Sequence, residues 1–301
     1  MMLPAPLAST EIPNQGNPLT MEDPVIIKEK LAERQSEHYY DREGRAAYGS
    51  NITQARKQGL YPSATTILNA ASSWTLQQWM KTNTANSAID VILDLVSSEH
   101  HSEVKKRMSV KEERQALIAQ IVKDADGVAK TAAQFGTTIH DGAESILNKQ
   151  AWDQSNKTLE LLNQWIDENI VETFWAEHNL VSPIGLYAGR ADALVRHKDH
   201  GVCLLDFKTQ KMQLKNGKYA ARFYPNYIRQ LAAYAACLRP APRCLSVVIN
   251  SVTPEYPVEK LYSEEEQRVG LQTFIALAEY WTLDKKYDPR SWVKPYEKEV
   301  A

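Results

Sequence analysis

Two aspartates and a lysine define the chemistry this chain can do. Asp192 closes 189-GRAD-192, while Asp206 and Lys208 end the apolar run 202-VCLLDFK-208. Such a run reads as a strand buried on both faces, and it stops abruptly in charge. Charge beside a core is costly unless it is paired or metal-bound. If the chain folds back antiparallel about residue 199, positions 192 and 206 fall opposite each other. Facing carboxylates repel unless a cation lies between them. Alternate residues leave one strand face, which puts Lys208 beside Asp206. Carboxylates plus substrate phosphate are the usual magnesium shell, so the pattern reads as a metal-dependent phosphodiesterase site. Lys208 would hold or deprotonate the attacking water, or neutralise developing charge. A plain surface Asp–Lys pair is the competing interpretation.

The segment after this strand is basic and aromatic. From Phe207 to Arg229 it carries Lys208, Lys211, Lys215, Lys218, Arg222 and Arg229 with Tyr219, Phe223, Tyr224 and Tyr227, and no acidic residue. That mixture suits a surface that tracks phosphates and stacks bases, against the plainer option of a solvated basic loop. The net charge of −2 means that any contact with nucleic acid must be local.

The elements that must position these groups follow from periodicity. Residues 1–24 are rich in proline and read as a flexible tail, with order expected from residue 25 to 301 as one domain. Helices are expected over 25–40, from 61-YPSATTILNA-70 onward through Trp74, Trp79 and Met80, over 109–130, over 131–149 as a further helix or a continuation of that one, and over 156–170. Ser63 or Thr65 would cap the second of these. Ser109 and Glu112 form a potential capping box for the third, with Leu117, Ile118, Ile121, Val122 and Val128 on one stripe. Residues 44–59 read as a loop. Strands are expected at 171–181, 186–196 and 202–208, with turns at 182–185 and 197–201. A crossover helix over 226–238, strands near 243–250 and 256–262, a helix over 263–285 and a C-terminal tail from 286 complete the chain. The expected fold is α/β, a central mixed sheet flanked by helices under a helical N-terminal layer over 25–170, with the sheet within 171–285. Trp74, Trp79 and Tyr61 read as core aromatics rather than base-stacking platforms.

The sequence of Asp192 followed by Asp206-Phe207-Lys208 resembles the active-site signature of the PD-(D/E)xK nuclease superfamily, with Asp where Glu is more frequent. The segment 136-GTTIHDGAE-144 resembles the upstream motif of the RecB-type exonuclease branch, 230-QLAAY-234 its Gln-x-x-x-Tyr helix, and 61-YPSATTIL-68 the entry motif of phage and mitochondrial genome-maintenance exonucleases. The resemblance implies a restriction-endonuclease-like core. It implies Mg2+ or Mn2+ held by His140, Asp192, Asp206 and the Phe207 carbonyl, with Lys208 catalytic. Glu177 would complete the shell or polarise a water, whereas Glu144, one turn from His140, reads as structural. Gln230 and Tyr234 would contact phosphate or scaffold the site, and Arg229, Lys211 and Arg222 would help bind substrate. The implied function is DNA exonuclease action on a single strand or duplex end, in recombination, repair or phage DNA processing, with a recombination or replication protein as a potential partner. A structure-specific endonuclease and a non-catalytic nucleic-acid-binding module are the alternatives.

Other classes are excluded by what the residues lack. Cys203, Cys237 and Cys244 are too few for a four-cysteine iron–sulfur cluster and read as buried thiols. Gly217-Lys218 lacks the rest of a phosphate loop, so no ATP is expected, and neither H-E-x-x-H nor G-x-S-x-G occurs. The run 231–238 is too short to cross a bilayer, and no leader opens the chain. A cytoplasmic protein of a bacterial or phage-infected cell, without membrane contact, is expected.

Overall fold

The computed structural model describes residues 38–70, 81–91 and 110–292. The expected tail at 1–24 and most of the expected helix over 25–40 lie outside these residues, as do Trp74, Trp79 and Met80. Tyr39–Tyr40, at the end of that expected helix, is instead a two-residue strand, β1, paired antiparallel with Tyr61–Pro62, β2. The stretch expected as a loop contains a short helix, α1, over Ile52–Gln58. Asn51 and Gln54 cap each other reciprocally, and Gly59 closes the helix at φ 68°. Helix α2 follows over Ala64–Ala70, and Ser63 Oγ accepts the Thr66 N–H at 2.9 Å. Residues 81–91 are helical.

Residues 131–149 continue the helix before them: the two stretches form one, α3, over Lys111–Leu147, and Val110 at its N-cap offers no side-chain bond. Ser109, the other half of the expected capping box, is outside the described residues. The expected stripe is not buried either: Ile118, Val122 and Val128 are exposed. Length explains this. A helix of 37 residues spans about 55 Å, whereas strands of 10 to 12 residues span about 33–40 Å, so its first half overshoots the sheet. Its last turns do pack, through Ile139, Ala143, Ile146 and Leu147, on α4 over Lys157–Asn169, capped by Asn156.

The sheet has five strands in the order β3-β4-β5-β8-β9. β3 (Ile170–Val181), β4 (Ala188–His197) and β5 (Gly201–Gln210) form an antiparallel meander. β5 runs parallel to β8 (Arg243–Asn250), which requires the crossover helix α5 (Pro225–Ala235), and β9 (Val258–Leu261) returns antiparallel. β4 starts two residues later than expected, because Leu186 and Tyr187, apolar and fully buried, belong to the connection. Helix α6 (Glu264–Lys285) opens on a Ser263–Glu266 capping box.

Alternation splits the core between the two faces. Cys203, Leu205 and Phe207 of β5 pack with Ile139, Leu162 and Trp165 of α3 and α4, while Leu204 packs with Leu231 of α5 and Phe274 and Trp281 of α6. Within the basic segment, β6 (Gln213–Lys215) and β7 (Lys218–Ala220) form a separate hairpin. Its turn residues Asn216 and Gly217 lie at φ 50° and 74°, the pair of left-handed residues that a type I′ turn demands. The start of the expected C-terminal tail is docked: a 3-10 turn over Pro289–Ser291 bonds through Arg290 to Glu279 at 2.7 Å. No helix of the described residues is long and apolar enough to cross a membrane.

The contact between α3 and α4 is close enough to test. A Cβ at Gly142 would lie 2.4 Å from Cδ2 of Leu159, which is buried and unable to swing clear. Gly142→Val is expected to cost about 1–3 kcal/mol by overpacking. A lowered urea midpoint at constant m-value is the readout, and an unchanged midpoint would show that the helices separate freely.

Candidate metal centre

The strand register lines up three acidic residues. The β4–β5 pairing of Ala193 with Leu205 continues to place Asp192 opposite Asp206. On the other side, pairing of Ala176 with Ala193 and His178 with Ala191 sets Glu177 opposite Asp192. Glu177 sits at φ 50°, a left-handed conformation inside a strand, where a side chain with a Cβ is strained. Such strain persists only where neighbours over-determine the residue, and Arg190 Nε holds Glu177 Oε2 at 2.6 Å.

His140 descends onto this row from α3. Its Nδ1 is 3.5 Å from Asp192 Oδ2 and 3.9 Å from Glu177 Oε1. Ligand atoms of His140, Glu177 and Asp192 all fall within 4.8 Å of one another. Imidazole with two carboxylates suits manganese as well as magnesium. Asp206 is not a member of this tight trio. It lies behind Asp192, 2% exposed, with Oδ1 2.5 Å from Lys208 Nζ and Oδ2 buried without a hydrogen-bond partner. A buried carboxylate oxygen with no hydrogen-bond partner, one strand away from Asp192, is the kind of group a divalent cation would satisfy.

Burial pushes the Asp206 carboxyl up to about 6, with the Asp192 charge adding to the rise and Lys208 opposing it. For Lys208, burial works against the ammonium, but Asp206 and Asp192 outweigh it and its pKa is raised. The amine is therefore charged at neutral pH. It also reaches Gln230 Oε1 at 3.2 Å. Phe207 donates its backbone N–H to Asp192 Oδ2 at 2.7 Å and packs its ring edge-on against His140.

The trio opens into a cleft of about 1080 Å³, whereas Asp206, Phe207 and Lys208 do not line it. His140, Glu177, Asp192, Gln230 and Tyr234 line it, and residues near the start of the described chain, among them Tyr40, Arg45 and Ser63, form another wall. Tyr234 is buried because Gly189 makes room: a Cβ there would stand 2.5 Å from the Tyr234 hydroxyl. Burial raises this phenol well above its ordinary range and keeps it a hydrogen-bond donor. Lys211, Arg222 and Arg229 do not line the cleft. Arg229 bonds Asn226 along α5, and Arg222 lies 5.1 Å over the Tyr224 ring. Arg190, two residues before Asp192 and so on the same strand face, is the member that sequence inspection missed.

A second group able to hold an ion among the described residues, His197, His200 and Glu259, sits at the other end of the sheet. Two of its three members are engaged elsewhere, although His197 Nε2 is buried without a hydrogen-bond partner, 3.6 Å from Glu259 Oε2. Asp199 N–H donates to His197 Nδ1 at 3.1 Å, which leaves the neutral ring's proton on Nε2, where a cation would have to bind. Trp165 Nε1 donates to Glu259 at 3.0 Å. Burial lowers the His197 pKa and favours that neutral ring. The cysteines are free, Cys203 and Cys244 buried and Cys237 partly so.

No protein-family model matches the chain, and no curated protein matches it.

The trio makes a direct prediction. Mn2+ at about a hundred times its Kd should stabilise the chain by ~2.7 kcal/mol, a rise of several degrees in Tm. Glu177→Gln combined with Asp192→Asn should abolish that rise. An equal rise in the double variant would place the ion elsewhere.

Proposed function

We propose that this chain is a metal-dependent deoxyribonuclease, an exonuclease built on a restriction-endonuclease-like core of the PD-(D/E)xK superfamily. The observation that carries it is the convergence of His140, Glu177 and Asp192 in one cleft, with the Asp206–Lys208 pair directly behind them. Carboxylates crowded beside an uncompensated buried oxygen make a poor structural motif and a good cation site.

A bound Mg2+ or Mn2+ would supply Lewis acidity at the scissile phosphate and a water of lowered pKa. His140, Glu177 and Asp192 would hold it, with Asp206 and the Phe207 carbonyl on the strand behind. The charged Lys208 is suited to orienting the water and balancing negative charge at phosphorus, not to removing a proton. Gln230 fixes that amine from α5. Arg190 keeps the Glu177 carboxylate aimed at the cleft. Tyr234, buried against Gly189 and hydrogen-bonded to Gln230, scaffolds the site.

Labelled single and double strands, incubated with each metal, test the proposal. End-labelled strands should lose nucleotides from a terminus while a circular single strand survives; cutting of the circle would favour an endonuclease. Lys208→Ala or Glu177→Gln should lower the rate about 10²–10⁴-fold. Glu177→Gln keeps a polar side chain at that position, which guards against simple misfolding of Lys208→Ala. Undiminished hydrolysis in both variants would refute the assignment, and binding without turnover in the wild type would make the chain a binding module.

A further inference from the structure

The β6–β7 hairpin is the first structure after the strand that carries Asp206 and Lys208. Its base is clamped rigidly. The Gln210 side chain exchanges two hydrogen bonds with the Arg222 backbone, at 2.8 and 3.0 Å, and Met212 N–H donates to Asn250 Oδ1 at 3.2 Å. The tip is fixed by the type I′ turn at Asn216-Gly217. On this stiff ribbon the register sets Lys215 opposite Lys218. Like charges directly opposite destabilise a hairpin, and neither lysine makes an ion pair among the described residues. Lys211 and Arg222 add two more exposed cations at the base.

Beside the ribbon lies a groove of about 520 Å³, within the range of small-ligand sites. Its walls are Leu214 and Val252, each 63% exposed, with Tyr219 paired across from Leu214. Apolar and aromatic surface flanked by cations matches a nucleobase with its phosphate. Acidic or purely apolar partners would each satisfy half of it.

We propose that this hairpin is an arm for the backbone of a nucleic-acid strand that extends from the cleft, with the groove at its side taking one nucleotide. The inference rests on the nuclease assignment above. Lys215 is seven residues beyond Lys208, within about 23 Å at ~3.3 Å per residue. With one phosphate per about 3.4 Å of stacked strand, at most about seven nucleotides bridge the two. A strand long enough to span both therefore gains the arm's contacts in addition to those of the cleft.

The test is fluorescence anisotropy of labelled 4- and 20-nucleotide single strands over a salt series, in EDTA so that no hydrolysis consumes the probe. Lys215→Gln with Lys218→Gln should reduce the slope of log K against log salt by about 1.4 on the 20-mer, from ~0.7 per charge. The Lys→Arg pair should keep the wild-type slope, as should Lys198→Gln with Arg243→Gln, which removes equal charge at the opposite end of the sheet. A wild-type slope in the Lys215/Lys218 glutamine variant would overturn the arm and leave the nuclease assignment standing. Failure of the wild type to bind either probe would also overturn the arm, while the nuclease assignment is decided by the hydrolysis assay above.

Discussion

One buried carboxylate organises the sheet-containing half of this molecule. Asp206 lies within β5, where the residues around it, Cys203, Leu204, Leu205 and Phe207, are fully enclosed, so its charge has almost no access to water. Lys208 compensates one oxygen and nothing compensates the other. Deleting one partner of such a pair typically costs about 3–5 kcal/mol, because the remaining charge is left buried and alone. The arrangement around it follows from that constraint: Asp192 on the next strand is steadied by the Phe207 N–H, and Gln230 reaches down from α5 to the amine.

The sheet meets this constraint through connectivity. An antiparallel meander brings three acidic positions into one row across β3, β4 and β5, and the parallel step from β5 to β8 forces a crossover that delivers Gln230 and Tyr234. The histidine comes from outside the sheet, on a helix locked to α4 by the Gly142–Leu159 contact. No part of the trio is local in sequence, and each member arrives on a different element.

Much of the second half of the fold was legible. Apolar runs bounded by His197–Gly201 and by Ser263 mark β4, β5 and α6 to within a few residues, and the arithmetic about residue 199 gives the Asp192–Asp206 register. The partner of Glu177 was not legible. A turn confined to 182–185 would have put it opposite Arg190; the connection runs on to Tyr187 because Leu186 and Tyr187 are core residues, and the register moves to Asp192. Two-residue strands such as β1 and β2 have no periodicity to read. The α1 helix and the β6–β7 hairpin went unread, although Asn51–Gln54 with Gly59 and Asn216-Gly217 carry signals of cap and turn chemistry rather than of hydrophobicity. The left-handed Glu177 leaves no mark in the sequence, since nothing but packing makes a glutamate adopt it.

The long third helix has a mechanical meaning. None of residues 111–124 is buried, whereas the turns from Ile139 onward are wedged against the sheet, so the helix is a beam clamped at one end. His140 sits at the clamp, some 44 Å from the N-terminal end at 1.5 Å per residue. Glu177 and Asp192 lie on the sheet itself, so the spacing of the trio is set where the last turns of α3 meet β3 and β4.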